Sequence, residues 1–225
     1  MKYIFLISGK LQSGKNQFAE YVSDYLSYND IKVGEDLFAK GVKDGCKKDF
    51  KKFVECLNAK LYDLSQLVYE MGNHSEMMNT TLDCINDLKI YDDNWYEDKT
   101  DLTRVLLQTY GTEIFRDRVD QQYWPKQLCK RCLESKDDVI LLTDVRFENE
   151  ISMVKELGIL IKDIEVVSIR IERPMDRTED FNEHPSETAL DDCTDWDYVV
   201  TNDDTLEMLQ SCAEEIIDEV YFTEE

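Results

Sequence analysis

Gly9-Lys10-Leu11-Gln12-Ser13-Gly14-Lys15-Asn16 is the most informative stretch of this sequence. It follows the apolar run Tyr3–Ile7 and leads into residues 18–22, whose apolar side chains have helical spacing. A strand, a loop with two glycines and a lysine, and a helix form a P-loop, in which backbone N–H groups and the helix N-terminus surround phosphate oxygens. Lys15 adds a full positive charge. The stretch therefore predicts a nucleotide-phosphate site; the alternative is an ordinary glycine-rich turn.

One position of this loop departs from the usual pattern. The last residue is normally Ser or Thr, whose hydroxyl binds Mg²⁺, whereas this chain has Asn16. Because an amide oxygen can bind magnesium or a bridging water, Asn16 is a predicted metal ligand. Mg²⁺ is therefore one predicted cofactor.

Composition limits the class of protein. The 225 residues carry a formal net charge of −23, which argues against a broad nucleic-acid-binding surface but not against a small phosphorylated substrate. No apolar run approaches the roughly 20 residues of a membrane span, and because Met1-Lys2-Tyr3 leads into the first strand we expect no cleavable signal peptide. Seven scattered cysteines fit a reducing compartment. We therefore expect a cytoplasmic protein whose partners are small molecules, without nucleic acid or membrane.

Four apolar segments have the pattern of buried parallel strands, and each of the last three follows a helical pattern. The segments are Tyr3–Ile7, Val139–Thr143, Val166–Ile171 and Tyr198–Thr201. Strands that alternate with helices predict an α/β fold with a parallel sheet covered by helices on both faces. Gly158 is expected to end the helix that contains Ile151.

Residues 44–135 show a different pattern, with apolar stripes at helical spacing such as Leu57–Val68. We predict a single domain in which a core, residues 1–43 and 136–225, carries a mostly helical insertion at 44–135. Because ligands bind beyond the carboxyl ends of parallel strands, such an insertion would form the wall of a second binding site.

The strand at 139–143 ends in an acid. If this strand lies beside the first one, Asp144 would face the phosphate site and bind Mg²⁺ or its waters. The alternative is an N-cap for the helix that follows. Arg146 lies two residues beyond the strand end and suits bidentate phosphate binding, and its alternative is a surface salt bridge.

Residues 111–124 combine guanidinium and aromatic groups. Arg116, Arg118 and Trp124 suit the phosphate and base of a nucleotide. The alternative is a solvated, charged helix with a Trp in the core. Gly111 followed by Thr112 predicts that one helix stops and another starts here.

Two further segments follow the later strands. Arg173 precedes the polar loop 180–185, at the place where a phosphoryl-transfer enzyme keeps a lid whose arginines close over phosphates, and we predict a lid at about residues 172–190. Arg170 alternates into the preceding strand, where exposure is the simple expectation. Thr201-Asn202-Asp203, at the end of the last strand, would meet an adenine ring or form a plain turn.

These segments, in this order, resemble phage deoxynucleoside monophosphate kinases over nearly the whole chain, with residues 45–100 the weakest part. The matching motifs are Ser8–Lys15, Gln108–Glu113, Tyr123-Trp124, Asp144-Val145-Arg146, Arg173-Pro174, Ser186–Leu190 and Val200–Asp203. Each motif is short, but their shared order is specific. The resemblance implies a P-loop NTPase fold and transfer of the γ-phosphoryl group of ATP to a deoxynucleoside 5′-monophosphate, giving a diphosphate and ADP for DNA synthesis.

The motifs and the resemblance together assign roles to individual residues. The predicted catalytic residues are Lys15, Asp144, Arg146 and Arg173. The predicted ATP-binding residues are Gly9, Lys10, Gln12, Ser13, Gly14, Lys15, Asn16, Gln17, Thr201 and Asn202. The predicted acceptor-binding residues are Lys43, Arg104, Gly111, Thr112, Arg116, Trp124, Asp144, Arg146, Glu150 and Glu187. The predicted metal ligands are Asn16 and Asp144.

Two other functions stay open. An animal-type phosphomevalonate kinase shares the loop and the Asp-x-Arg strand end but lacks the Gln-x-x-Gly-Thr-Glu run. A nucleotide-binding regulator without turnover would account for Gln12, where the kinases often have a basic residue, and for Asn16, where they often have Asp. The acceptor base is also open, as is a homodimer, and a viral source would place the protein in the host cytoplasm.

Overall fold

A five-stranded parallel sheet forms the centre of the fold in the computed structural model, which describes residues 1–49, 107–174 and 188–223. The strands are β1 Lys2–Gly9, β2 Val33–Asp36, β3 Val139–Leu142, β4 Ile164–Glu172 and β5 Tyr198–Thr201. Their order is β2-β3-β1-β4-β5, and every neighbouring pair is parallel. The predicted α/β fold of the P-loop kinase type is confirmed.

The four helices that alternate with these strands are α1 Lys15–Tyr28, α2 Tyr123–Glu134, α3 Glu148–Leu160 and α4 Leu206–Ile217. Residues 38–49 are also helical. Two π-helical segments, Thr109–Arg116 and Asp218–Phe222, complete the elements of the described ranges.

The side chains of β1 alternate between two apolar cores. Tyr3, Phe5 and Ile7 join the core formed with α1 and α4. Ile4 and Leu6 join the core formed with α2 and α3. All five are buried, and burial of one such side chain stabilises the fold by about 1.5–3 kcal/mol. The central strand is therefore held rigidly from both faces, and so is the loop at its carboxyl end.

The chain order places that loop at a topological switch point. From β1 the chain continues to β2, which lies at one edge of the sheet beyond β3. From β3 the chain crosses over β1 to β4, which lies on the opposite side of β1 within the sheet. Ligands of open α/β sheets bind beyond the carboxyl ends of the strands at such a point.

Strand β2 was not predicted. Its sequence, Val33-Gly34-Glu35-Asp36, has no apolar run because β2 is an edge strand that pairs only with β3. Gly34 leaves room for the Asp137 side chain, since a Cβ at Gly34 would collide with that carboxylate. An edge position and a glycine together remove the signal by which buried strands are recognised.

Two glycines that were expected to end helices lie inside them. Helix α3 continues through Gly158 to Leu160, and a Cβ at Gly158 would lie 2.9 Å from Val166 Cγ2. Gly111 lies within the continuous segment Thr109–Arg116, where a Cβ would lie 2.9 Å from Val42 Cγ1. Both predictions are wrong because these glycines permit close packing rather than a turn.

The chain divides into two compact units. One comprises Met1–Gly41 with Val119–Glu225 and contains the sheet, and the other is Val42–Arg118. The described parts of the second unit, 42–49 and 107–118, are helical. Helix α2 belongs to the sheet-bearing unit, although the predicted boundary at residue 135 assigns it to the insertion.

Several predictions concern residues outside the described ranges. They are the apolar stripe Leu57–Val68, Arg104, Glu187 and most of the lid predicted at about 172–190. Within the described ranges, no helix has the length and apolar character needed to cross a membrane.

Candidate functional site

The loop between β1 and α1 has the backbone of an anion-binding turn. Gln12 and Gly14 adopt left-handed φ values of 62° and 94°, and the Ser13 N–H donates to the Lys10 carbonyl at 3.1 Å. Gly14 is the N-cap of α1, so no side chain caps this helix, and its first turn has no acidic residue. The helix therefore presents backbone donors and a positive dipole end to a ligand.

Neither glycine of this loop tolerates a side chain. A Cβ at Gly9 would collide with Ser13 Oγ and would lie 2.7 Å from the Ile171 carbonyl oxygen. A Cβ at Gly14 would collide with Asn202 Nδ2 and would also be strained by the left-handed φ. The spacing of the motif is thus required by the packing of the loop between β4 and the end of β5.

Ser13 carries a buried hydroxyl at the centre of the loop. The residue is 2% exposed, and its Oγ has no hydrogen-bond partner in the part of the chain that the structure describes. An unsatisfied buried hydroxyl costs about 1–3 kcal/mol, and such groups in native proteins commonly await an ion, a water or a ligand. A phosphate oxygen, which accepts hydrogen bonds, fits this donor.

The remaining loop residues lie around this hydroxyl. The ammonium group of half-buried Lys15 lies 3.3 Å from the Lys10 carbonyl oxygen, and Lys10 in turn pairs with Asp191 at 2.7 Å. Asn16 is exposed on the first turn of α1, and Gln17 donates to Glu20 at 2.9 Å. Two lysines therefore accompany the amides of the loop.

Asn202 joins the end of β5 to the loop. Its Nδ2 donates to the Ser13 carbonyl at 2.8 Å, and its backbone N–H donates to the Glu172 carbonyl at 2.6 Å. The side chain is buried, at 8% exposure. Thr201 and Asp203, the other residues predicted near adenine, are both exposed.

Asp144 caps a helix, but not the helix that follows it. Its two carboxylate oxygens accept from the N–H groups of Phe38 and Ala39 at 2.8 and 2.7 Å, where residues 38–49 begin their helix. Desolvation raises the pKa of Asp144 above its ordinary value, while these amides and Arg146 act in the opposite direction. The carboxylate is thus held rigidly beyond the end of β3.

Glu150 shapes the backbone that carries Arg146. Its Oε2 accepts from the Arg146 and Phe147 N–H groups at 2.8 and 3.1 Å, which caps the N-terminus of α3. Glu150 is 3% exposed, whereas Arg146 is exposed. The structure therefore gives Glu150 a supporting contact and presents Arg146 on the surface.

A buried arginine on β4 contradicts the expectation of an exposed one. Arg170 is 7% exposed, and its Nη1 donates to Ser8 Oγ at 3.0 Å. Its guanidinium carbon lies 5.7 Å from the centre of the Trp196 ring, and its Nη2 lies 3.9 Å from Asp191. The expectation of an exposed side chain is wrong because β4 is an interior strand of the sheet and both of its faces are covered. Arg170 and Asp191 are site neighbours that sequence reasoning missed.

Helix α2 brings a second unforeseen ion pair close to the end of β2. Arg131 binds Asp36 in a fork, with Nε–Oδ2 and Nη2–Oδ1 distances of 2.7 and 3.1 Å. Trp124, on the same helix, is 5% exposed, and a Cβ at Gly41 would lie 3.4 Å from its ring. Asp36 was not predicted as a site residue because β2, the strand that contains it, was not recognised from the sequence.

The described part of the second unit holds four of the predicted acceptor-binding residues. Gly111, Thr112 and Arg116 lie on the π-helical segment, and Lys43 is half-buried in the helix at 38–49. Arg116 is 8% exposed, so the alternative of a fully solvated charged helix is wrong for this residue. Segments of π-helix occur often at functional sites.

Two predicted features stand apart from these contacts. Arg173 is exposed directly after β4. Across 1–49, 107–174 and 188–223, no group of three His, Cys, Asp or Glu side chains could hold a metal ion. Magnesium bound with a nucleotide takes one or two protein ligands together with phosphates and waters, so Asn16 and Asp144 remain suitable donors by type.

Comparison with known proteins identifies the family. The family model for deoxynucleotide monophosphate kinase matches residues 43–212. A protein of Acanthamoeba polyphaga mimivirus, named provisionally as such a kinase, is 27% identical over 226 residues, which cover 94% of this chain and 93% of that protein. The deoxynucleotide monophosphate kinase of Enterobacteria phage T4 is 29% identical over 59% of this chain and 48% of its own. That of Escherichia phage T5 is 30% identical over 39% and 34%.

These matches confirm the resemblance to the phage kinases. The mimivirus alignment covers nearly the whole chain, and the family model covers most of it, although the loop after β1 precedes the residues that the family model matches. Together with the α/β fold built on that loop, they show that the chain belongs to the deoxynucleotide monophosphate kinase family.

Proposed function

We propose that this kinase transfers the γ-phosphoryl group of ATP to a deoxynucleoside 5′-monophosphate, giving a deoxynucleoside diphosphate and ADP. The observation that carries the proposal is the loop after β1, with its uncapped helix N-terminus and the buried Ser13 hydroxyl. Both features suit the phosphate chain of ATP.

ATP would be bound by this loop. Gly9 and Gly14 let the loop pack against Ile171 and Asn202, and the backbone amides, Lys10 and Lys15 would neutralise the charge of the phosphates. The further residues assigned to ATP are Gln12, Ser13, Asn16, Gln17, Thr201 and Asn202. Asn16 and Asp144 would hold Mg²⁺, which would supply positive charge that stabilises the phosphates during transfer.

The acceptor would be held by a set of ten residues that includes basic, acidic and aromatic side chains. We assign this role to Lys43, Arg104, Gly111, Thr112, Arg116, Trp124, Asp144, Arg146, Glu150 and Glu187. Glu150 contributes by fixing the backbone of Arg146, as its two amide contacts indicate. The two amide contacts of Asp144 would keep the carboxyl end of β3 in place for this role.

Positioning and charge neutralisation suffice for this chemistry. Phosphoryl transfer passes through a loose transition state, so the protein mainly holds two substrates in line and stabilises the equatorial oxygens. Lys15, Arg146 and Arg173 would supply that positive charge. Closure of the predicted lid would exclude water, which otherwise competes as the acceptor.

A coupled assay of ADP release tests the proposal. Purified protein receives ATP, Mg²⁺ and one of dAMP, dGMP, dCMP or dTMP, with phosphomevalonate as the control acceptor. We expect turnover with at least one deoxynucleotide, none with phosphomevalonate, and a loss of at least about a hundredfold in Lys15→Ala. Absence of ADP release with every deoxynucleotide would contradict a catalytic role and favour a nucleotide-binding regulator.

A further inference from the structure

One contact in the loop joins residues far apart in the sequence. Asn202 Nδ2 donates to the Ser13 carbonyl at 2.8 Å, across 189 residues of chain. The Asn202 backbone is itself fixed by the Glu172 carbonyl at 2.6 Å. Because both residues are buried, at 8% and 2% exposure, water does not compete for this hydrogen bond.

The contact controls the orientation of one peptide group. In a trans peptide, the carbonyl of one residue and the N–H of the next point in opposite directions. When Asn202 holds the Ser13 carbonyl, the Gly14 N–H must therefore point away from Asn202. Gly14 has φ 94°, and a glycine can adopt other backbone conformations at little cost. A hydrogen bond from another part of the chain can therefore select one orientation of the preceding peptide group.

We propose that Asn202 is a positioning residue, which turns the Gly14 amide toward the phosphates of ATP by binding the Ser13 carbonyl. This inference rests on the proposed ATP site. It differs from the expected contact between Asn202 and adenine, because it acts on the phosphate end of the ligand. Its effect should therefore be the same for any triphosphate, whatever the base.

The packing around Gly14 supports this role. A Cβ at Gly14 would collide with the Asn202 amide, so the absence of a side chain at one residue and the amide at the other are matched. A residue that served only the base would have no need to contact the loop so closely.

Calorimetric titration with three ligands tests the proposal. The probes are ATP, GTP and inorganic tripolyphosphate, each with Mg²⁺. The variants Asn202→Leu and Asn202→Ala remove the amide donor without adding charge, and Asp204→Asn, at an exposed position two residues further on, is the matched control. Thermal unfolding confirms that each variant is folded.

We expect both Asn202 variants to bind all three probes about tenfold more weakly than the wild type, which corresponds to 1.4 kcal/mol, and by the same factor for each. The control variant should bind all three probes as the wild type does. The KM for the deoxynucleotide acceptor should be unchanged in the Asn202 variants. In ¹H–¹⁵N spectra, tripolyphosphate should shift the Gly14 amide of the wild type but not that of Asn202→Leu.

Three outcomes would overturn the inference. A loss confined to ATP would assign Asn202 to the adenine, and unchanged binding of every probe would show that the loop needs no such hold. In both cases the proposed function would stand. If the wild type bound neither ATP nor tripolyphosphate, the proposed function and this inference would fall together.

Discussion

Lys10 pairs with a carboxylate that would compete with the phosphates of the proposed ATP site. It pairs with Asp191 at 2.7 Å, and both side chains are more than a third exposed. Such a pair contributes little stability, whereas the phosphates of ATP carry several negative charges. Arg170 lies 3.9 Å from the same carboxylate, so Asp191 keeps a cationic neighbour if Lys10 turns to a phosphate.

The exchange predicts an unusual effect of Asp191→Asn. Without the carboxylate, Lys10 loses its competing partner, and ATP should bind about two- to fivefold more tightly at low salt, with a smaller gain at high salt. Titration calorimetry at two ionic strengths measures this, with Asp192→Asn at the exposed neighbouring position as control. Weaker binding would show instead that Asp191 holds Lys10 in its productive position.

Substitution of Gly14 should weaken ATP binding, in contrast to Asp191→Asn. In Gly14→Ala, the left-handed φ costs about 1–2 kcal/mol, and the methyl group must displace the Asn202 amide. We expect lower stability in urea unfolding and a loss of ATP binding of more than about tenfold. Leu11→Ala, at an exposed position in the same loop, should leave stability nearly unchanged.

At the scale of elements, helix α3 depends on a close approach to strand β4. A methyl group in Gly158→Ala would lie 2.9 Å from Val166 Cγ2, and overpacking of this kind costs about 1–3 kcal/mol. The better helix propensity of alanine offsets up to about 1 kcal/mol of that cost. We therefore expect a net destabilisation of about 1 kcal/mol in urea unfolding.

The second substitution Val166→Ala tests the cause. In that background, where the colliding methyl is absent, Gly158→Ala should become neutral or stabilising, as a double-mutant cycle would measure. Equal destabilisation in both backgrounds would exclude the contact with Val166 as the reason.

Asp197 fastens the start of β5 to β4. Its Oδ2 accepts from the Ser168 N–H and Oγ, both at 2.7 Å. Burial alone would raise the pKa of Asp197, but the Ser168 hydrogen bonds and Lys155 outweigh it, so the pKa lies below its ordinary value. A depressed carboxyl pKa adds stability that is present above the unfolded pKa, near 3.9, and is lost as the pH falls through the folded value.

Asp197→Asn should therefore lower stability at pH 7, by no more than about 1 kcal/mol because the side chain is 43% exposed and water screens its interactions, and flatten the acid dependence below about pH 4. Urea unfolding at pH 7 and pH 3 compares the variant with the wild type. If the two proteins lost stability in parallel on acidification, the acid dependence would have to come from other carboxylates.

The elements that could be predicted from the sequence are those whose characteristic residues lie next to one another along the chain. The β1, β3, β4 and β5 strands were predicted because their apolar residues are consecutive, and the loop Gly9–Asn16 because its residues are contiguous. The Lys10–Asp191 and Asn202–Ser13 contacts join residues 181 and 189 positions apart, so no local pattern contains them. Arg170 was wrongly expected to be exposed for a related reason, because its acidic neighbour Asp191 lies in a turn far from it in the sequence.

At the scale of the whole molecule, the net charge of −23 sets a uniform background of self-repulsion. The cations of the candidate site are local exceptions to it. Raising the ionic strength from about 0.01 to 0.15 M shortens the screening length from roughly 30 to 8 Å and should weaken that repulsion. We therefore expect the melting temperature to rise over this range.

Differential scanning calorimetry checks this expectation, and NaCl and KCl are compared to exclude a specific ion effect. A fall in melting temperature would show that local ion pairs, such as Arg131 with Asp36, outweigh the global repulsion.

The Ser8 hydroxyl has a consequence for any attempt to redesign this enzyme. It accepts from Arg170 Nη1 at 3.0 Å and donates to the Val145 carbonyl at 3.1 Å, immediately before the first glycine of the loop. Val145 stands between Asp144 and Arg146, which we assign to the acceptor. Substitutions chosen to change the preferred base at 144–146 would thus shift the nucleotide-donor constants as well, and selection for a new substrate would have to optimise both specificities together.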